Sequence, residues 1–390
     1  MEKARRLDGL RSAVFTELDR IKSEVAALGT DVIDLGIGSP DRPPAPHVYR
    51  ALRQGIDDLG NYGYPSSLGT RELRETITSW YLQRFNVSLD PETEVLALMG
   101  SQDGLGHLPL GILDQDDIAL IPDPGYPVYS AGVILAGGDI YPMPLREVNN
   151  FLPDFAAIPK EVAVKAKMMI INYPNNPVAA TADQDFFHRV VDYAAKYGIL
   201  VCHDLAYSEL AFDGYRPSSF LETPGAKEIG VEFHSVSKTY NMAGCRLGFV
   251  VGNSEAIEAL ARIKSNIDYG VFLPVQKAGI AALTGSQEMV EENARVYMTR
   301  RNILVDGLAE IGWKVNKPKA TMFVWAKLPS GYTSSEKFAE VVLRRAGVVV
   351  VPGVAFGKEG EGYVRIALVQ EDNLIREAIR RIAEHFQFND

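Results

Sequence analysis

Five short apolar runs constrain this chain more than any other feature: 118-IALIPDP-124, 168-MMIINYP-174, 199-ILVCHD-204, 231-VEFHSVS-237 and 246-RLGFVVGN-253. Most are closed by Pro, Asp, Gly or Asn, and in most of them the apolar residues are continuous rather than alternating. Such runs suit strands covered on both faces. Between two of them lies 181-TADQDFFHRVVDYAAKYG-198, with Phe186, Phe187, Val190, Val191 and Ala194 on one side and Gly198 as its stop, the pattern of an amphipathic helix. Strand, helix, strand at this spacing predicts βαβ units. The class is therefore α/β, with a mostly parallel sheet between helices.

The flanking regions read differently. Residues 10–29 have helical periodicity and end at Gly29, VIDLGIGSPDRPPAP follows as a strand entering a Gly/Pro-rich turn, and 70–85 predicts a helix with Thr70 as N-cap. From about residue 283 the order becomes a long charged helix (286–311), strands at WKVNKP and MFVWAKLP, a helix (334–346), strands at VVVVPG and YVRIALV, and a terminal helix (372–386). This predicts a smaller α+β unit. The expected division is an N-terminal arm over 1–45 that packs with the small domain, a large domain over 46–282, and a small domain over 283–390.

The chain has 390 residues, long against a prior of about 150 per domain, with 46% apolar and 23% charged residues. The net charge of -10, with both signs mixed along the chain, argues against nucleic acid and anionic membrane as partners. Any anion site must be a local arrangement. The two cysteines, Cys202 and Cys245, make no CxxC motif and no disulfide framework; no metal site is expected. There is no apolar leader at the N-terminus and no run of roughly 18 apolar residues, so a cytoplasmic protein without a membrane span is expected.

In open parallel sheets, ligands sit at the carboxyl ends of the strands. After the runs above come Tyr126 between Gly125 and Pro127, Asn175-Asn176-Pro177, Asp204 with Tyr207 three residues on, and Ser235 leading to Lys238. Upstream, 100-GSQDGLGHL-108 is a Gly-containing turn opening a helix, a place where backbone N–H groups favour a phosphate. Each feature alone has a plain alternative. Lys238 could be a solvated lysine, Ser235 and Asp204 helix caps, Asn176-Pro177 an ordinary turn, and Tyr126 a packed turn residue. Together, an aromatic ring, an amide, a carboxylate, a phenol and an amine at successive strand ends fit pyridoxal phosphate chemistry. The aldehyde needs a lysine, the ring nitrogen a carboxylate, the ring oxygen an amide and a phenol, the phosphate a helix N-terminus, hydroxyls and an arginine, and the ring face an aromatic.

The segments 36-GIGSPD-41, 62-YGYPSSLGTRELR-74, 123-DPGYPVY-129, 172-NYPNNP-177, 204-DLAYSEL-210, 235-SVSKTYNMAGCRLG-248 and 363-YVRIAL-368 resemble those of the class I/II aminotransferases of PLP fold type I, over nearly the whole chain. Within that family the wording DVIDLGIGSPD, FHSVSKTYNMAG and KSNIDYGVF is most similar to the LL-diaminopimelate aminotransferases. The resemblance implies a seven-stranded, mostly parallel sheet in the large domain. It also implies the following roles. Lys238 is the Schiff-base lysine and proton shuttle. Asp204 pairs with the ring nitrogen, Asn176 and Tyr207 bind the ring oxygen, and Tyr126 stacks on the ring. Ser101, Gln102, Ser235 and Arg246 hold the phosphate, joined by Tyr64 from a neighbouring subunit. Arg365 clamps the substrate carboxylate, assisted by backbone near Gly38; its plain alternative is a strand arginine facing solvent.

The expected activity is a ping-pong exchange of an amino group between an amino acid and a 2-oxo acid, LL-diaminopimelate with 2-oxoglutarate, as in lysine biosynthesis, by a homodimer with shared sites. Aspartate or alanine as donor, a carbon–sulfur β-lyase on the same fold, and a non-catalytic ligand sensor are the alternatives. The sensor would need a DNA-binding domain for which residues 1–30 are too short. The chain departs from its family's wording at 176-NPVA-179, where Asn-Pro-Thr-Gly is usual. It departs again at Cys245, where close relatives carry Trp, and at Ser101-Gln102-Asp103, where Ser-Lys-Glu is common.

Overall fold

The computed structural model describes residues 3–10 and 13–386. A two-residue strand β1 (Ile33–Asp34) precedes the main sheet, which is built from β2 (Val95–Leu98), β3 (Ile118–Asp123), β4 (Asp139–Pro144), β5 (Ala166–Asn172), β6 (Leu200–Asp204), β7 (Gly230–Ser235) and β8 (Gly248–Gly252). Their order is β2-β8-β7-β6-β5-β3-β4. All neighbours are parallel except at β8, which runs antiparallel to both β7 and β2. The five runs read from the sequence are β3, β5, β6, β7 and β8. Strands β2 and β4 were not anticipated; β4 is an edge strand with two prolines, Pro142 and Pro144, and several exposed residues, so it lacks the apolar signature.

The sheet is buried on both faces, and residue alternation divides it. Val95, Ala97, Met169, Ile171, Phe249 and Val251 join one core cluster, while Leu96, Leu98, Met168, Ile170 and Val250 join the other. Period-two geometry of a pleated strand makes that division. On the first face, helix Gln184–Tyr197 buries the five apolar residues that marked its stripe, is capped by Asp183 Oδ1 accepting from the Phe186 N–H, and stops at Gly198 in the left-handed conformation. Helix Arg71–Phe85 begins as read, with Thr70 Oγ1 accepting from the Leu73 N–H.

Downstream, helix Glu288–Glu310 leads to β9 (Phe323–Lys327), helix Ser335–Ala346, β10 (Val348–Val349), β11 (Val351–Pro352), β12 (Tyr363–Ala367) and helix Asp372–His385. Strands β11, β12 and β9 form an antiparallel sheet. The N-terminal segment joins this region: β1 pairs in parallel with β10, and helix Ala13–Ala27 lies against helix Ser335–Ala346. The beginning of the expected N-terminal helix at 11–12 and the chain end at 387–390 lie outside the described residues.

One expected strand is absent. WKVNKP is a helix ending followed by a loop. The Trp313 N–H donates to Leu308 O and the Gly312 N–H to Ala309 O, with Gly312 at φ +90°. That double closure terminates a helix, and the buried Trp313 packs edge-on against Phe338 while its Nε1 donates to Lys327 O at 2.7 Å. The apolar–polar alternation of this stretch came from that closure rather than from a pleat. Among the described residues no helix is long and apolar enough to cross a membrane.

Candidate active site

The antiparallel course of β8 brings the separate sequence signals to one edge of the sheet. Strands β2, β3, β5, β6 and β7 all end there, and β8 begins there, so Arg246 just before β8 arrives beside residues that follow the other strands. A cavity of ≈ 410 Å³ at this edge is lined by Ser101, Gln102, Tyr126, Asn176, Asp204, Tyr207, Ser235, Lys238 and Arg246, with Gly38 and Arg365 from outside the main sheet. This volume lies in the range of small-molecule sites, roughly 300–1,000 Å³. Tyr64 is elsewhere: it is 87% exposed and its ring lies 4.9 Å from that of Tyr269.

Lys238 sits in a single turn of helix, Val236–Thr239, that Ser235 caps by accepting from the Ser237 N–H. Its Nζ donates to Gly38 O at 2.5 Å. Burial, with the nearby Arg365 and Arg246 guanidinium groups, lowers the amine to about 8. That is close enough to neutrality for a nucleophile or base. Asp204, at the end of β6, is buried; Oδ2 accepts from Tyr129 Oη at 2.7 Å and Oδ1 from the Ala206 N–H. Burial raises its carboxyl despite these bonds. Tyr207 is buried, raised by the same cause and by Asp204, and rests edge-on against Phe323.

Asn176 and Arg365 are directly joined. Arg365 on β12 donates from Nη1 to Asn176 Oδ1 at 2.9 Å and from Nη2 to Gly36 O at 2.7 Å. Its guanidinium lies 4.2 Å from the Phe323 ring centre and 4.7 Å from that of Phe356. It is buried rather than solvent-facing, and burial lowers it to about 10.

At the other end of the cavity, Gly100 precedes helix Ser101–Ile112 at φ +83°, and a Cβ there would stand 2.4 Å from Nη2 of Arg246. The side-chain-free turn lets the guanidinium lie against the helix N-terminus. Serine hydroxyls, helix N–H groups and an arginine thus converge, the donor set a phosphate dianion takes. Ser237 Oγ, also lining the cavity, is a buried hydroxyl without a partner among the described residues. Tyr126 stands just before the next helix and its hydroxyl donates to Gln102 Oε1 at 3.0 Å. The buried Asp204 carboxylate is complementary to a cationic ring nitrogen. These residues fit pyridoxal phosphate.

Several contributors were not read from the sequence. Tyr129 lies three residues after Tyr126, one helical turn on, and that spacing is the signal that could have found it. Phe15, Phe323 and Phe356 line the cavity from elements distant in the chain, and nothing local marks them. Of the departures, Val178 is accounted for by packing with Trp325 and Phe356. Ala179 stands at φ +56°, a conformation that favours the usual glycine. Nothing in the structure explains Cys245, which is partly buried against the core.

The comparisons agree with this geometry. The model of the family "Aminotransferase class I and II" matches residues 30–382. The chain is 51% identical over 380 residues, covering 97% of both proteins, to the LL-diaminopimelate aminotransferase of Desulforudis audaxviator. It is 52% identical to that of Moorella thermoacetica, over 98% of each. A substrate-bound BacF structure from Bacillus subtilis superimposes with a TM-score of 0.96 at 38% identity, over 100% of both chains. The chain belongs to the class I and II aminotransferases, the pyridoxal-phosphate-dependent enzymes of fold type I.

Proposed function

We propose that this chain exchanges an amino group between LL-diaminopimelate and 2-oxoglutarate, a reversible reaction of lysine biosynthesis. The observation that carries the reaction class is the meeting of Lys238, Asp204 and Arg365 in one cavity; the donor follows from the relatives that bear this name over the full length.

Bound pyridoxal phosphate supplies an electron sink for the substrate Cα. The protein's own residues do the rest. Ser101, Gln102, Ser235 and Arg246 would hold the phosphate, Asp204 the ring nitrogen, Asn176 and Tyr207 the ring oxygen, and Tyr126 the ring face. Arg365, with Gly38 backbone beside it, would orient the α-carboxylate of amino acid and oxo acid alike. Lys238 Nζ moves the proton to and from Cα, a task suited to an amine lowered to about 8. Phe15, Phe323 and Phe356 keep water from that proton.

We further read the chain as a large domain over 46–282 and a small domain over 283–390, with 1–45 packed on the latter; the β1–β10 pairing supports this. We read it as a cytoplasmic homodimer in which Tyr64 reaches the neighbouring subunit's phosphate. The exposed aromatic pairs Tyr62–Phe272 and Tyr64–Tyr269 support that face as the contact.

A panel of amino donors with 2-oxoglutarate tests the assignment. LL-diaminopimelate should exceed aspartate and alanine in kcat/KM. Preference for either simpler donor would overturn the donor assignment. Release of pyruvate and ammonia without an oxo acid would overturn the reaction class.

A further inference from the structure

Lys264 opens the stretch 264-KSNIDYGVF-272, and no role for it has emerged so far. It is 0% exposed. A fully buried lysine is rare unless paired, and here it is paired twice. Its Nζ lies 2.5 Å from Asp103 Oδ2, and 2.9 and 3.2 Å from the two oxygens of Asp268. His107 Nδ1 sits 2.7 Å from the other oxygen of Asp103. Ligand atoms of Asp103, His107 and Asp268 lie within 4.8 Å of one another, a spacing a metal could use, but the ammonium is already the cation among them.

Both carboxylates do a second job. Asp103 Oδ2 accepts from the Met99 N–H at 2.9 Å, so it closes the turn Met99-Gly100-Ser101 that opens the helix at the cavity. Gly100 has no side chain to cap that helix; Asp103 acts from within the first turn instead. Burial alone would raise the Asp103 carboxyl, but the bonds from His107 and Lys264 outweigh it and hold it at about 2. Asp268 Oδ1 accepts from the Gly270 N–H at 2.7 Å. Between those two residues is Tyr269, whose ring pairs with Tyr64. Gly270 is pressed onto the loop that carries Tyr64: a Cβ there would stand 2.6 Å from Ser66 O.

We infer that Lys264 is a positioning residue, a buried ammonium strut that locks the phosphate-cradling turn at 99–103 to the turn at 268–270 bearing Tyr269 and its partner Tyr64. Lys264 on helix Ser254–Ile267 and Asp103 on helix Ser101–Ile112 tie one helix to the other, and each carboxylate also accepts from a backbone N–H beyond its helix, Met99 or Gly270. The cluster thereby links the turn that carries Ser101 and Gln102, assigned above to this chain's phosphate, to the turn whose Tyr269 backs Tyr64, assigned above to the neighbouring subunit's phosphate. The inference rests on that assignment.

The test compares pyridoxal 5′-phosphate with pyridoxal, which lacks the phosphate, in binding to the full chain freed of cofactor. Lys264→Met should weaken the phosphate ester by roughly tenfold, the lower end of what losing an outer support costs at a bound group, and leave pyridoxal nearly unchanged. Asp268→Asn keeps one carboxylate, that of Asp103, for Lys264, so the buried ammonium stays paired. It should show a smaller loss of the same phosphate-selective kind, and it serves if Lys264→Met does not fold. Equal weakening of both ligands, or no change in a folded Lys264→Met, would overturn the strut; so would an Asp268→Asn that leaves the phosphate preference intact. Arg246→Met is the control. If it retains the phosphate preference, the phosphate assignment itself is wrong and the strut falls with it. If it loses the preference while the Lys264 and Asp268 variants keep theirs, only the strut is wrong.

Discussion

Replacing Lys238 by methionine should make the cofactor-free protein more stable at neutral pH while abolishing its activity. The amine sits against Gly38 O, facing Arg365 and Arg246. Burial and those two cations lower it from 10.5 to about 8. Since a tenfold change in proton affinity is about 1.36 kcal/mol, the charged amine costs the fold roughly 3 kcal/mol. Below pH 8 the amine is protonated in the folded and the unfolded chain, and the whole cost is felt. Between about 8 and 10.5 the folded amine is neutral while the unfolded one is still charged. The unfolded state then binds more protons, so stability rises with pH. Above 10.5 both are neutral and the penalty is gone. Methionine has no charge at any pH and loses one hydrogen bond, about 1 kcal/mol. The expected advantage of Lys238→Met is therefore about 2 kcal/mol at pH 7; it passes through zero before pH 10.5 and reverses to about 1 kcal/mol in favour of the lysine above that, where only the lost hydrogen bond remains. Urea unfolding of both proteins at several pH values between 7 and 10.5 measures it, and the other alkaline titrations cancel in the difference. A variant no more stable at pH 7, or a difference that stays constant over this range, would refute the reasoning.

Tyr129→Phe removes a hydrogen bond to a charged group, about 1.5–3 kcal/mol. Because that bond lowers Asp204, its loss should raise the carboxyl further, move the acid limb of the pH–rate profile upward and slow turnover by about tenfold or more, read by steady-state kinetics. Gly100→Ala places a Cβ 2.4 Å from Nη2 of Arg246 at φ +83°. The backbone strain alone is about 1–2 kcal/mol, so cofactor affinity by equilibrium dialysis should fall about tenfold. Glu232 is fully buried and accepts from Tyr81 Oη, Ser219 Oγ, the Phe220 N–H and His203 Nδ1. Glu232→Ala should cost roughly 3–5 kcal/mol in thermal unfolding. Glu232→Gln should cost less, because the two hydroxyls can turn to accept from the amide. Arg365→Lys keeps a charge but loses the planar fork that now spans Asn176 and Gly36. KM should rise for amino donor and oxo acid together.

Much of the large sheet was legible because its strands are buried on both faces, and burial leaves an apolar run that needs no partner to be recognised. The helix 184–197 was legible for the matching reason: one buried stripe, an aspartate cap and a terminal glycine. The proline-rich edge strand β4 carries no such mark, and the short β2 was missed with it. WKVNKP reads as a strand because a buried tryptophan just past a helix end, packed on Phe338 and bonded to Lys327 O, gives the stretch an apolar–polar alternation without a pleat.

The sequence by itself determined which chemical groups the chain offers and in what order they follow the strands, since residue type and local periodicity are properties of short stretches. It also carried the family wording. Only the tertiary structure decided how they meet. The reversal of β8 puts Arg246 beside a helix start more than a hundred residues earlier. Phe15, Phe323 and Phe356 come from both ends of the chain to line the cavity that holds Lys238. Lys264 ties two turns through a pair of aspartates 165 positions apart. None of these contacts leaves a local trace, because each depends on strand order and direction, which no stretch of ten residues encodes.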